Sequence, residues 1–162
     1  MKVIGIDPGT ASCGYGIVHE SGGRLKPIDH GWWKTAAGER PELRLKTIFD
    51  GVAGLITEHR PDAVALEESF VGADARTALF VGQARGAVLV AAANGGIECA
   101  EYPPARVKQV VCGYGRAEKE QVQKMVKAIL SMQAAPTPLH ASDALAVAIC
   151  HALAPPLLRI AG

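Results

Sequence analysis

Apolar residues gather in short runs near the start of the chain and in helical stripes after residue 40. Val3-Ile4-Gly5-Ile6 has the length of a buried strand and is closed by Asp7 and a Pro8-Gly9 turn, which predicts a first strand over 2–7. Residues 14–19 predict a second strand one short turn away, paired with the first as a hairpin. Residues 27–35, with Trp32 and Trp33, predict a third. Pro41 suits the first turn of a helix, and Leu43, Ile48, Val52, Leu55 and Ile56 then recur at roughly helical spacing until Pro61-Asp62. Residues 63–66 form a short apolar strand that ends in Glu67-Glu68. Residues 73–94 are rich in Ala, Val and Leu and apolar on most faces, which predicts a central helix packed on several sides. A fifth strand over 97–102 follows. Helices are predicted over 104–111, 117–132 and 140–153, with Gly113-Tyr114-Gly115 as a break after the first of them.

Three strands, then helix, strand, helix, strand and helices describe an α/β chain. The expected architecture is a five-stranded mixed sheet, its first three strands antiparallel and the rest joined by parallel crossovers, with flanking helices. A single domain over 1–153 and a short tail over 154–162 are expected. The chain has 162 residues, 49% hydrophobic and 20% charged, enough to close a full core. No apolar run has the length that crosses a bilayer, and the apolar stretch behind Met1-Lys2 breaks at Asp7, unlike a secretory signal. A cytoplasmic protein is expected. Cys13, Cys99, Cys112 and Cys150 include no CxxC pair, so they read as reduced thiols and not as a structural zinc site.

The chemistry begins with Asp7. A carboxylate closing a buried strand costs free energy unless it is paired or binds a metal. Glu67 ends another strand, and Asp143 lies in the first turn of the last helix. Sites in open α/β sheets gather beyond the carboxyl ends of parallel strands, where Asp7 and Glu67 would meet if their strands are neighbours. His140 and Asp143, three residues apart, share a helix face. Three carboxylates and an imidazole suit Mg²⁺ or Mn²⁺. Each acid also has a plainer role: Asp7 as a turn cap, Glu67 and Glu68 as solvated strand-end charges, Asp143 at a helix N-terminus. Alternation along the strand places Glu67 with Ala65, and Glu68 with Val64 and Leu66, so Glu67 is the better ligand. Net charge is only +1, but residues 101–130 carry 6 basic and 3 acidic side chains, the basic ones being Arg106, Lys108, Arg116, Lys119, Lys124 and Lys127. Such a stretch beside an acidic site suits a polyanionic substrate.

Five ordered blocks sharpen this reading: Gly5-Ile6-Asp7-Pro8-Gly9-Thr10 with Gly14-Tyr15-Gly16, Ala65-Leu66-Glu67-Glu68-Ser69-Phe70, Gly82-Gln83-Ala84-Arg85-Gly86, Val107-Lys108-Gln109 with Ala117-Glu118-Lys119, and Ser142-Asp143-Ala144-Leu145-Ala146. Over nearly its whole length the chain resembles the RuvC-type Holliday junction resolvases, a branch of the RNase H-like nuclease fold. The resemblance implies that fold, with helices on both faces of the sheet, and a homodimer that nicks opposing strands of a four-way DNA junction. It implies two divalent ions, Mg²⁺ or Mn²⁺, per subunit. Asp7, Glu67 and Asp143 match the family's catalytic carboxylates. His140 stands where many relatives have a fourth carboxylate, and nitrogen ligation there favours Mn²⁺ over Mg²⁺. Phe70 matches an aromatic near the junction centre, although core packing would equally account for it. Lys108 and Lys119 match basic residues that hold the cleaved phosphate, and Arg76 and Arg116 complete the expected DNA contacts. The expected partner is a RuvA-RuvB branch-migration complex.

Three other classes share parts of this pattern. ATPases of the actin and Hsp70 class open with a similar strand-Asp-Gly-Thr loop but need a second lobe with a second such loop. RNA-directed nucleases of the YqgF type share the Asp-x-Gly opening but lack the Lys108 to Lys119 block. A non-catalytic junction binder would have no use for the full set Asp7, Glu67, His140 and Asp143.

Overall fold

The computed structural model describes residues 1–9, 11–36, 38–68 and 74–155. Its elements are β1 (Lys2–Pro8), β2 (Ser12–Ser21), β3 (Arg24–Lys34), α1 (Pro41–His59), β4 (Ala63–Glu67), α2 (Ala75–Asn94), β5 (Glu98–Tyr102), α3 (Pro104–Cys112), α4 (Lys119–Ile129) and α5 (Leu139–Leu153). The strands form one sheet in the order β3-β2-β1-β4-β5. β1 pairs antiparallel with β2, and β2 with β3, while β4 runs parallel to both β1 and β5.

Alternation along the strands divides the core into two layers. Ile4, Ile6, Cys13, Ile17, Val64 and Leu66 face α1 and α2. Val3, Val18, Ala65, Ala100 and Tyr102 face α3, α4 and α5. The helices thus cover both faces, as expected. Cys13 and Cys150 are buried and all four thiols are free. Among the described residues, no helix is long and apolar enough to cross a membrane.

Several boundaries move from the expected ones. The second strand lengthens to Ser12–Ser21 and the third begins at Arg24, because β2 and β3 stay paired out to Ser21↔Arg24. Helix α2 starts at Ala75, since the Asp74 side chain accepts from the N–H groups of Arg76 and Thr77 and caps the first turn. Helix α4 starts at Lys119 because the Gln121 side chain accepts from the Glu118 N–H. It stops at Ile129, short of the expected 132.

The larger correction concerns burial. Helix α2 is not a central helix packed on several sides. It buries Ala84, Val88, Ala91 and Ala92 and leaves Leu79, Leu89 and Val90 exposed. The enclosed helix is α5, which lies between the sheet and the pair α3 and α4 and is buried from Ala144 through Ala152. Close approach makes this possible. A Cβ on Gly5 would stand 2.0 Å from the Ala144 carbonyl, and one on Gly14 2.1 Å from the His140 carbonyl. These two glycines give α5 a bed that side chains would fill.

Candidate active site

The register of the sheet brings the acids together. β1 and β4 run parallel with Ile6 opposite Leu66, so Asp7 and Glu67 emerge side by side at their carboxyl ends. Asp7 shares a face with Val3 and Gly5, and Glu67 with Ala65, all toward α5. Helix α5, seated on Gly5 and Gly14, brings His140 and Asp143 over that edge. It begins at Leu139, so His140 occupies its first turn and Asp143 lies one turn deeper; the first turn itself holds no acid. This corrects the expected place of Asp143 and removes the helix N-terminus as its explanation. The chain order α3, α4 then adds Lys108 and Lys119 from above.

Asp7, Glu67, His140, Asp143, Lys108 and Lys119 line one cavity of about 130 Å³, with Val107, Val122 and Ala146 as its apolar wall. His140 Nδ1 lies 2.7 Å from Asp7 Oδ2 and donates to it, which leaves Nε2 as the free ring nitrogen. Lys119 Nζ donates to Asp143 Oδ2 at 3.3 Å. The Asp7 and Asp143 side chains are each only 16% exposed, so these partners matter more than surface ion pairs would.

Burial and neighbouring negative charge both show in the proton affinities. Burial first, then the charges of Asp7 and Asp143, push Glu67 up to about 7, against a smaller opposing pull from Lys119 and Lys108. Burial and Asp7 raise Asp143 as well. His140 is raised by its hydrogen bond to Asp7 and by the neighbouring carboxylates, against burial. Lys119 is raised by Asp143. Such a cluster is short of positive charge.

As the side chains stand, no three His, Cys, Asp or Glu groups among the described residues form a set that could hold a metal ion. Asp7 is turned onto His140 and Asp143 onto Lys119. The donor chemistry nevertheless fits a hard divalent ion: oxygen ligands from three elements, one imidazole, and a carboxylate whose proton affinity is raised first by burial and then by the charges of Asp7 and Asp143.

The remaining sequence candidates lie elsewhere. Arg76 is exposed at the start of α2 and Arg116 is exposed between α3 and α4; neither lines the cavity. Glu68 is exposed and its N–H donates to the Tyr102 carbonyl, so it serves the sheet edge. Phe70 lies outside the described residues. One group that touches the site's backbone had no role assigned from sequence. Arg85 donates to the Glu67 carbonyl at 2.8 Å and to Glu101 at 2.6 Å. Its signal was available: it is the one charged residue between Thr77 and Asn94.

Residues 3–151 match the family described as Crossover junction endodeoxyribonuclease RuvC. The curated RuvC of Natranaerobius thermophilus is 49% identical over 154 residues, covering 95% of this chain and 96% of that one. That of Desulforamulus reducens is 51% identical over 152 residues, covering 94% and 93%. Among solved structures, Thermus thermophilus RuvC in complex with Holliday junction substrate superposes with a TM-score of 0.89 at 41% identity, covering 94% of this chain and 93% of that one. The sheet order and the antiparallel first three strands are those of the RNase H-like fold. By sequence along nearly its full length and by fold, the chain belongs to the RuvC family of crossover junction endodeoxyribonucleases.

Proposed function

We propose that this chain resolves four-way DNA junctions by paired, symmetric, metal-dependent nicks, acting in the cytoplasm in recombination and repair. The observation that carries the reading is the single cavity in which Asp7, Glu67, His140 and Asp143 meet Lys108 and Lys119. Asp7, Glu67, Asp143 and His140 would hold divalent ions, two per subunit in the fullest form of the proposal. Such ions supply an activated water and charge stabilisation at the leaving oxygen, giving 5′-phosphate and 3′-hydroxyl ends.

The side chains divide the remaining work. Lys119 and Lys108 approach from α4 and α3 and bind the non-bridging phosphate oxygens. His140 is held by Asp7 through Nδ1, so its Nε2 is oriented to take a ligand position or to accept a proton from the attacking water. Val107, Val122 and Ala146 form a dry wall that strengthens these electrostatic contacts. Arg76 and Arg116 would contact DNA outside the cavity, and Phe70 would contact bases near the junction centre. The imidazole in a set otherwise made of carboxylates favours Mn²⁺ over Mg²⁺.

A junction with two-fold symmetry calls for two such sites, hence a homodimer. Helix α2 supports this. Leu79 and Val90 are exposed, and Gly82 and Gly86 lie between them on the same helical face. A Cβ at either glycine would meet nothing within 4 Å. Glycine within a helix costs roughly 1 kcal/mol relative to alanine, and close approach by a second copy gives that cost a reason. Hand-over of junctions from a RuvA-RuvB branch-migration complex follows from the same reading.

The test is cleavage of four-way junction, fork, duplex and RNA–DNA hybrid in Mg²⁺ and in Mn²⁺, with Asp7→Asn as control. Paired nicks confined to the junction, faster in Mn²⁺ and lost in Asp7→Asn while binding persists, are expected. Cutting of the hybrid alone, or normal cutting by Asp7→Asn, defeats the proposal.

A further inference from the structure

Arg85 reaches from α2 to the far side of the catalytic strand. Its side chain is 17% exposed and makes two hydrogen bonds. One nitrogen donates to the Glu67 carbonyl at 2.8 Å and the other to Glu101 Oε2 at 2.6 Å. Glu101 is in register with Leu66, so its side chain shares the α2 face of the sheet. The Glu67 carboxylate points to the opposite face, into the cavity. The guanidinium therefore grips the backbone of Glu67 from beneath while the side chain works above.

The strand ladder explains why that carbonyl needs an outside donor. The Glu68 N–H donates to the Tyr102 carbonyl, so the Glu68 backbone is turned toward β5. Backbone polar groups alternate along a strand, which turns those of Glu67 toward β1. Extending the β1–β4 register by one pair sets Glu67 opposite Asp7, and the parallel pattern then calls on the N–H of residue 8. Residue 8 is Pro8, which has none. The strand end that carries a site carboxylate is thus left one ladder bond short. A charge-assisted bond from Arg85, itself fixed by Glu101, takes its place.

We propose that Arg85, braced by Glu101, is a positioning residue that fixes the end of β4 and so aims Glu67 at a bound divalent ion. The inference rests on the metal-site reading above and is independent of which DNA is cut. It assigns to α2, the helix with the exposed apolar face, a direct mechanical link to the site.

The test uses the full chain with Arg85→Gln, Arg85→Lys and Glu101→Gln. Mn²⁺ binding is measured without DNA by electron paramagnetic resonance of the free ion. Thermal unfolding, junction binding without metal, and junction cutting against Mn²⁺ concentration are measured alongside. Removing an outer partner of a metal ligand typically weakens metal binding or activity by about 10- to 100-fold. Arg85→Gln should weaken Mn²⁺ binding on that scale, raise the Mn²⁺ concentration for half-maximal cutting by a similar factor, and leave metal-free junction binding unchanged. Arg85→Lys, with one nitrogen in place of the two that reach the Glu67 carbonyl and Glu101, should recover part of the loss, and Glu101→Gln should lose less than Arg85→Gln. A folded Arg85→Gln with wild-type Mn²⁺ binding overturns the proposal. So does a variant that melts earlier while its folded fraction binds Mn²⁺ normally. If Arg85→Gln does not fold, Arg85→Lys and Glu101→Gln decide by the same Mn²⁺ measurement. Wild-type chain that binds Mn²⁺ but cuts no junction refutes the junction reading alone; wild-type chain that binds no Mn²⁺ overturns the Arg85 proposal too.

Discussion

Helix α5 buries 11 of its 15 residues and helix α2 only 4 of its 20, although both are built mainly from Ala, Val, Leu and Gly or Cys. The difference lies in the surfaces that receive them. Under α5, Gly5 and Gly14 remove the side chains that would hold a helix away, and a Cβ on Gly16 would likewise meet Leu145 at 2.6 Å. The helix sinks onto β1 and β2, and α3 and α4 close over it. Opposite α2 the sheet presents full-sized Val64 and Leu66, and among the described residues nothing covers Leu79 or Val90. Apolar composition states how much surface a helix would hide. The partner surface decides whether it does, and here the hidden helix carries the cavity residues His140 and Asp143 while the uncovered one faces outward.

The largest effect should come from the polar positions of the buried helix. A divalent site supplies several kcal/mol of charge stabilisation in the transition state, so Asp143→Asn should slow junction cutting by about 10³-fold or more. Metal-free junction binding and the fold should persist. Single-turnover cutting and a gel-shift measure the two. Cutting within tenfold of wild type would remove Asp143 from the chemistry.

The bed beneath α5 comes next. In Gly14→Ala the new Cβ meets the His140 carbonyl and Cβ, both part of the helix that holds the site. Overpacking of this kind costs about 1–3 kcal/mol, read by urea unfolding. Cutting should fall further than the folded fraction does, because the first turn of α5 is displaced. Equal stability in Gly14→Ala and wild type would show that α5 does not depend on this contact.

A third effect follows from what α5 covers. Its burial of Glu67, with Asp7 and Asp143 nearby, moves that carboxyl from 4.5 up to about 7. The folded chain thus holds the Glu67 proton more tightly than the unfolded chain. This contribution to stability is complete below about pH 4.5 and is lost as pH rises through about 7. In EDTA, wild type should lose ~1–2 kcal/mol relative to Glu67→Gln between pH 5 and pH 8, discounted for the partial exposure of the group. Parallel stability profiles for the two proteins would contradict the shift. Metal binding, which needs the ionised carboxyl, should strengthen over the same range.

The layout of strands was legible because alternation and turns are local signals. Val3 to Ile6, the hairpin and the Ala63 to Leu66 run all appear where those signals put them. Asp7 and Glu67 were legible for the same reason: each acid ends an apolar run. Their meeting was not, since it depends on β1 and β4 lying side by side, and resemblance to a known family supplied that step. The packing of α2 was misread and the burial of α5 went unread because the signal is not in either helix. It lies in Gly5 and Gly14, more than a hundred residues before α5. Arg85 stood out as the one charged residue between Thr77 and Asn94, but what calls for it, the missing N–H of Pro8, is visible only once the register is known.

The smallest effect turns the comparison on a single kind of substitution. Gly14 and Gly82 are both glycines in regular elements. A Cβ at Gly14 collides with α5, whereas one at Gly82 meets nothing. Alanine at the second position should therefore help the isolated chain, by up to about 1 kcal/mol, through helix propensity and a less flexible unfolded state. If α2 is the face that meets a second copy, the same methyl group stands in the path of the other helix. Gly82→Ala should then raise the unfolding midpoint at concentrations where the chain is monomeric and shift the monomer–dimer equilibrium toward monomer in sedimentation. Its loss of cutting should be relieved at high protein concentration, unlike that of Gly14→Ala, whose damage lies within one chain. Unchanged dimerisation in Gly82→Ala and in Gly86→Ala would move the interface away from this face, and would leave the two outward-facing glycines of α2 without a structural reason.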